Sequence, residues 1–181
     1  YERFVRVELA EHLQQAGSPL TGAVLNLNGT HTNSGIILVG DGTPGDTSRI
    51  NLTGSNTTLT GSGAVTLNGG NTAINRSSAT GVLTIANQTI NGFGQLGANQ
   101  IGIINQAGGT IDANSSGNVL VVDPDSISGM VNQGTMRASN GGILEISGFP
   151  GTAAGGFNNV GGVIRAQAGS EVRFSGLSGE F

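Results

Sequence analysis

The sequence predicts an all-β chain: a parallel β-solenoid, or β-helix, of about six or seven coils, preceded by a short N-terminal cap or donor segment. Three observations carry this. Glycine makes up 33 of 181 residues, while charged residues are only 10% and aromatic residues 4%. Val, Ile and Leu recur in short alternating runs between Gly- and Asn-rich breaks, the pattern of strands joined by tight turns. The C-terminal half also aligns on itself.

The self-alignment sets the architecture. The runs Ile104-Asn105, Thr110-Ile111-Asp112-Ala113 and Leu120-Val121-Val122 repeat as Val131-Asn132, Thr135-Met136-Arg137-Ala138 and Leu144-Glu145-Ile146. They repeat again as Phe157-Asn158, Val163-Ile164-Arg165-Ala166 and Val172-Arg173-Phe174. The alanines at 113, 138 and 166 are spaced by 25 and 28 residues. Runs this short are not stable alone; they become so when each coil pairs with the next. Alternation turns Ile111, Met136 and Ile164 inward, with Leu120, Leu144 and Val172 stacked likewise, and turns Asp112, Arg137 and Arg165 outward. Asn105, Asn132 and Asn158 share one slot and read as an asparagine ladder at a turn, each amide bonding the coils above and below.

The N-terminal half has the same chemistry with a looser period. Strands are expected near 24–28, 36–39, 50–53, 57–60, 64–68, 72–74 and 82–85, with 41–46 bulging from a corner. The solenoid is assigned to residues 20–181 and the cap or donor segment to 1–19. Glu8 to Gly17 is the best helical stretch, yet Val5, Val7 and Leu9 alternate as a strand would.

Composition excludes several classes. A net charge of −4 and a pI near 4.9 argue against nucleic-acid binding, which needs a basic stripe. No run approaches the length of a membrane span, so no membrane insertion is expected. Without cysteine there is no disulfide, thiolate metal site or cysteine nucleophile. Lysine is absent too, which forbids a Lys–Asn cross-link.

The stretch Val82-Leu83-Thr84-Ile85-Ala86-Asn87-Gln88-Thr89-Ile90-Asn91-Gly92-Phe93-Gly94-Gln95-Leu96-Gly97, with the repeats after it, resembles the β-strand repeats of large bacterial surface proteins of the autotransporter-passenger and filamentous-haemagglutinin-like class. The resemblance covers roughly residues 80–176. It implies a right-handed β-helix, an extracellular or bacterial cell-surface location, and work as a stalk or adhesin.

Catalytic readings are thin. Beyond the N-terminal segment the acids are dispersed, and Asp123-Pro124-Asp125 is the close pair; it reads as a corner turn. Asp41 and Asp46 read the same way. His12 and His31 form no triad, and the glycines punctuate coils without a strand-then-helix phosphate motif. No catalytic, metal or cofactor site is expected. Threonines repeating in one slot would favour ice binding, but Val163 breaks the run Thr110, Thr135. The expectation is a non-enzymatic extracellular rod serving a stalk, adhesin or fibre; a carbohydrate-binding or carbohydrate-cleaving β-helix is the alternative. Two cross-coil ion pairs test the register: Asp112 with Arg137, and Glu145 with Arg173. The ends set the partners: neighbouring coils of a longer chain, or head-to-tail copies joined through Val5, Val7, Leu9 and Phe174, with surface glycans as further candidates.

Overall fold

The computed structural model describes residues 22–77, 81–148 and 156–175. The expected N-terminal segment, with Val5, Val7 and Leu9, lies outside them. The described residues form fifteen strands and no helix: β1 Val24–Thr32, β2 Ile36–Val39, β3 Arg49–Thr60, β4 Ala64–Asn75, β5 Val82–Ile85, β6 Thr89–Leu96, β7 Gly102–Asn105, β8 Thr110–Ala113, β9 Val119–Val122, β10 Met130–Asn132, β11 Thr135–Ala138, β12 Ile143–Ile146, β13 Phe157–Asn158, β14 Val163–Ala166 and β15 Glu171–Phe174.

Every strand pairs in parallel with its counterpart one turn away, and the pairs sort into three walls. Wall 1 runs from the first half of β1 through the first half of β3, the end of β4 and the end of β6 to β9, β12 and β15. Wall 2 runs from the second halves of β1 and β3 through β5, β7 and β10 to β13. Wall 3 runs from β2 through the starts of β4 and β6 to β8, β11 and β14. The chain is thus a parallel β-solenoid of about six turns, with β15 laid down as the first strand of a seventh.

Alternation makes the core a set of columns. On wall 1, Leu25, Ile50, Ile74, Leu96, Val122, Ile146 and Phe174 stand one above another. On wall 3 the column is Ile37, Val65, Ile90, Ile111, Met136 and Ile164. The interior members from Ile50 to Ile146 and from Val65 to Met136 are fully buried. Each such side chain contributes about 1.5–3 kcal/mol, and no wall could bury its inner face without the other two.

The looser N-terminal period has a geometric cause. The expected strands at 50–53 and 57–60 lie within β3, and those at 64–68 and 72–74 within β4. There the backbone turns a corner without leaving the ladder, and the register slips between Leu27 and Gly29 and between Asn68 and Ala73. Gly92, in β6, shows how tight such packing is: its φ is +99°, and a Cβ there would stand 1.9 Å from the Leu67 carbonyl oxygen.

The last described turn is less sealed than those before it. Ile164 and Val172, inward in their columns, are only half-buried, and Phe174 and Val163 are each 47% exposed. One turn earlier Met136 and Leu144 are sealed. Among the described residues no further strand pairs with β13, β14 or β15 on that side.

Candidate functional site on the outer columns and last turn

The outward column of wall 3 reads Leu38, Thr66, Asn91, Asp112, Arg137, Arg165. Asp112 and Arg137 are register partners. Arg137 Nε and Nη2 each lie 2.7 Å from Asp112 Oδ2, and Ser139 Oγ donates to Asp112 Oδ1 at 2.8 Å. The expected exposed acid is corrected here: the Arg137 guanidinium and the Ser139 hydroxyl fold over it, leaving the Asp112 side chain 5% exposed. Arg165 continues the column on the last described turn.

The second expected pair, Glu145 with Arg173, has the expected register but not the expected contact. Arg173 bonds instead to Glu171 on its own strand and face, through Nε at 2.7 Å and Nη2 at 2.8 Å. Two parallel bonds to a carboxylate two residues away outcompete one across the coils. Glu145 accepts from Ser175 Oγ at 2.7 Å. The pairing lowers the Glu171 pKa and raises that of Arg173; the raise comes first from the hydrogen bond to Glu171, with Glu145 adding only its field.

The asparagine ladder stands at the turn that follows β7 and β10, with its side chains inside the core. Asn105 and Asn132 are fully buried, in a column of wall 2 that holds His31, Leu59 and Ile85 in the earlier turns. Asn105 Nδ2 donates to Asn132 Oδ1 at 2.7 Å, and Asn132 Nδ2 donates at 2.6 Å to Asn159. Asn158 is therefore not the third rung. It pairs with Val131, one register position earlier, and faces out; its Oδ1 accepts the Val160 amide at 2.8 Å. The ladder lies against glycine: a Cβ on Gly162 would stand 2.4 Å from the Asn132 amide nitrogen. At its lower end Asn105 Oδ1 is buried without a partner.

A second ladder escaped the sequence reading. Asn26, Asn51 and Asn75 are register partners, and Asn51 Nδ2 donates to Asn26 Oδ1 at 2.7 Å. Its signal was present: each follows a wall-1 column residue, Leu25, Ile50 or Ile74. Also unforeseen is the buried Gln88. Its Nε2 donates to the carbonyls of Asn33 and Thr60 at 2.6 and 2.7 Å, and its Oε1 accepts from Asn33 Nδ2 at 2.9 Å.

The acids weighed as catalytic do structural work. Asp125 Oδ1 accepts the amides of Ile127 and Ser128 at 2.8 and 2.7 Å, holding the corner after Pro124. Asp46 closes its loop by accepting from the Ser48 hydroxyl and from the amides of Ser48, Asp41 and Gly22. Burial alone would push its carboxyl up; those donors outweigh burial and hold it below the usual carboxylate range. Burial raises the pKa of Asp123. His31 Nε2 lies 3.2 and 3.0 Å from the amide and carbonyl of Asn28, and His12 lies outside the described residues. Among the described residues no three His, Cys, Asp or Glu side chains cluster as metal ligands, and no helix is long and apolar enough to cross a membrane.

Comparison with protein-family models, curated proteins and solved structures gave no match to this chain. What the residues and coordinates establish is the architecture: a parallel β-solenoid built from repeating turns.

Proposed function

We propose that the chain is a non-enzymatic structural rod, an extracellular segment of a bacterial surface stalk, adhesin or fibre of the autotransporter-passenger or haemagglutinin-like kind. The observation that carries the reading is the wall-1 column, apolar at every level from Leu25 to Phe174. A core that continuous resists bending, because no turn can tilt without opening its neighbours' ladders. The outer polar groups support the same reading. Asp112, Asp46, Asp125 and Glu145 are each engaged with a side chain or backbone of the rod itself.

Limited proteolysis tests the reading. Six turns stacked at about 4.8 Å each in one continuous hydrogen-bonded ladder should leave a protease-resistant fragment that spans the described turns. Rapid cleavage between β3 and β12 would refute the reading. Incubation with acidic and neutral polysaccharides should release no oligosaccharide. Release that ceases in Asp123→Ala or Asp125→Ala would replace the rod with the carbohydrate-cleaving alternative.

A further inference from the structure

The corner that follows β9 holds the one Asp-Pro bond of the sequence, Asp123-Pro124. Such a bond is chemically weak for two reasons. The aspartate side chain reaches its own carbonyl carbon by closing a five-membered ring, so the attack needs no second molecule. The nitrogen it displaces is proline's, which bears no hydrogen and, carrying three carbons, takes a proton more readily than an ordinary amide nitrogen.

The fold adds to this at both reacting atoms. The Asp123 carbonyl oxygen accepts the Asn99 amide of the turn below at 2.8 Å. That amide is aimed by three successive residues at positive φ: Gly97 at +104°, Ala98 at +48° and Asn99 at +54°. Two of them are side-chain-bearing residues that rarely adopt the left-handed region, and such strain collects where geometry serves chemistry. Gly97 packs against the same oxygen, where a Cβ would stand at 2.3 Å. A donor already in place on a carbonyl oxygen stabilises the charge that develops there when the carbon is attacked. The attacking group is positioned too. The Asp123 side chain lies against Gly148 of the turn above, where a Cβ would stand 1.9 Å from Oδ1. It is half-buried, no donor among the described residues bonds it, and burial raises its pKa. Asp46 and Asp125, by contrast, are held by several donors each. Of the elements packed against Asp123, residues 97–101 and 147–148 carry no titratable side chain. β12 carries Glu145, which accepts from Ser175. Its own corner carries Asp125, whose Oδ2 is buried without a hydrogen-bond partner.

We propose that the fold makes Asp123-Pro124 a self-cleaving bond, cut in acid without a protease. The Asp123 side-chain oxygen bonds to the Asp123 carbonyl carbon while the Asn99 amide holds the carbonyl oxygen. The bond from that carbon to the Pro124 nitrogen breaks, and the carboxyl proton passes to the nitrogen. Water then opens the five-membered anhydride and leaves two carboxyls on Asp123. A raised carboxyl keeps its proton into milder acid than an ordinary one, which extends the range in which the step runs. The cut separates residues 1–123 from 124–181, while the ladders β7–β10, β8–β11 and β9–β12 still join the pieces. The rod keeps its stacking and loses its covalent continuity at one level. This is a property of the corner and goes beyond the rod reading.

The test compares the full-length chain with itself unfolded. Samples from about pH 5 to about pH 3, spanning the carboxylate range, are incubated with and without concentrated urea. Mass spectrometry under denaturing conditions follows fragments 1–123 and 124–181. The folded chain should yield them at least tenfold faster than the chain in urea, since a preset donor of this kind is worth about 10²–10³ in rate. Asp123→Asn should yield neither fragment. Asn99→Val, a β-branched residue that resists positive φ, displaces the amide and should bring the folded rate down toward the rate in urea. Three results would each overturn the proposal: a folded chain that cleaves no faster than the urea sample, cleavage that survives Asp123→Asn, or Asn99→Val cleaving at the parent rate. Resistance to proteases at neutral pH would still uphold the rod, so the two readings fail separately.

Discussion

Replacing Asn132 by alanine tests whether the inner asparagine ladder stabilises the rod. The substitution removes two hydrogen bonds, from Asn105 Nδ2 at 2.7 Å and to Asn159 Oδ1 at 2.6 Å. Each contributes about 1 kcal/mol net, and the Asn105 amide, sealed from water, is left without its principal acceptor at a further cost of about 1–3 kcal/mol. With partial relaxation into the space, the expected loss is about 2–4 kcal/mol. For a domain of this size that lowers the melting temperature by about 5–15 °C. The double variant Asn105→Leu/Asn132→Leu discriminates between a needed interaction and a needed volume. It removes both buried amides together, including the unpartnered Asn105 Oδ1. It also restores the chemistry of Leu59 and Ile85, which fill the same column two turns and one turn below Asn105. Its stability should fall within about 1 kcal/mol of the parent. Urea titration followed by circular dichroism, with parallel thermal melts, measures both. A single variant within about 0.5 kcal/mol of the parent, or a double variant worse than the single, would refute the reasoning.

Two further expectations concern charge. Asp112→Ala strips Arg137 and Ser139 of their shared acceptor; because Arg137 is partly solvated, the loss should be about 1–3 kcal/mol by urea titration. Arg173→Ala, whose partner Glu171 is exposed with it, should leave the curve in place. The second expectation is pH dependence of opposite sign at two corners. The depressed Asp46 carboxyl stabilises its loop above the ordinary carboxylate pKa, about 4, and that stability is lost as pH falls through its folded value. Amide protection at Asp41 and Ser48 should therefore drop selectively in acid, and Asp46→Asn should remove the pH dependence. The raised Asp123 carboxyl works the other way: it costs stability at neutral pH and is relieved as pH falls through its folded value. Asp123→Asn should stabilise the chain at pH 7 and lose that advantage by about pH 3.

The C-terminal walls were legible because their alternation survives intact. Thr135 to Ala138 falls on Thr110 to Ala113 and Val163 to Ala166, and Ile143 to Ile146 on Val119 to Val122, with the registers the sequence spacing implies. The asparagine slip came from a corner of variable length. Between walls 2 and 3 the connector is residues 106–109 in one turn, 133–134 in the next and 159–162 in the last, and the doublet Asn158-Asn159 offers a side chain at either phase. Spacing alone cannot choose between them; amide reach does. The N-terminal half was blurred for the opposite reason. Its corners at Gly54 and at Gly69-Gly70 sit within continuous strands, so turn residues there mark bends and not strand ends. Nor could alternation show that Asp112, correctly turned outward, would be covered by Arg137 and Ser139, since that depends on which side chains reach across.

The change of chemistry along the inner column of wall 2 bears on how the rod keeps its register. On walls 1 and 3 the column members below the last described turn are Ile, Leu, Val and Met, which exchange places at small cost. A whole-turn slip of the last three turns would leave those columns nearly as well packed as before. It would not leave wall 2 so. Below Asn105 stands Ile85, with no acceptor to offer, so a slip that sets Asn132 beside Ile85 strands a buried amide, at about 1–3 kcal/mol for each group left unmet. The ladder thus penalises misregistered turns through groups that contribute little when correctly paired.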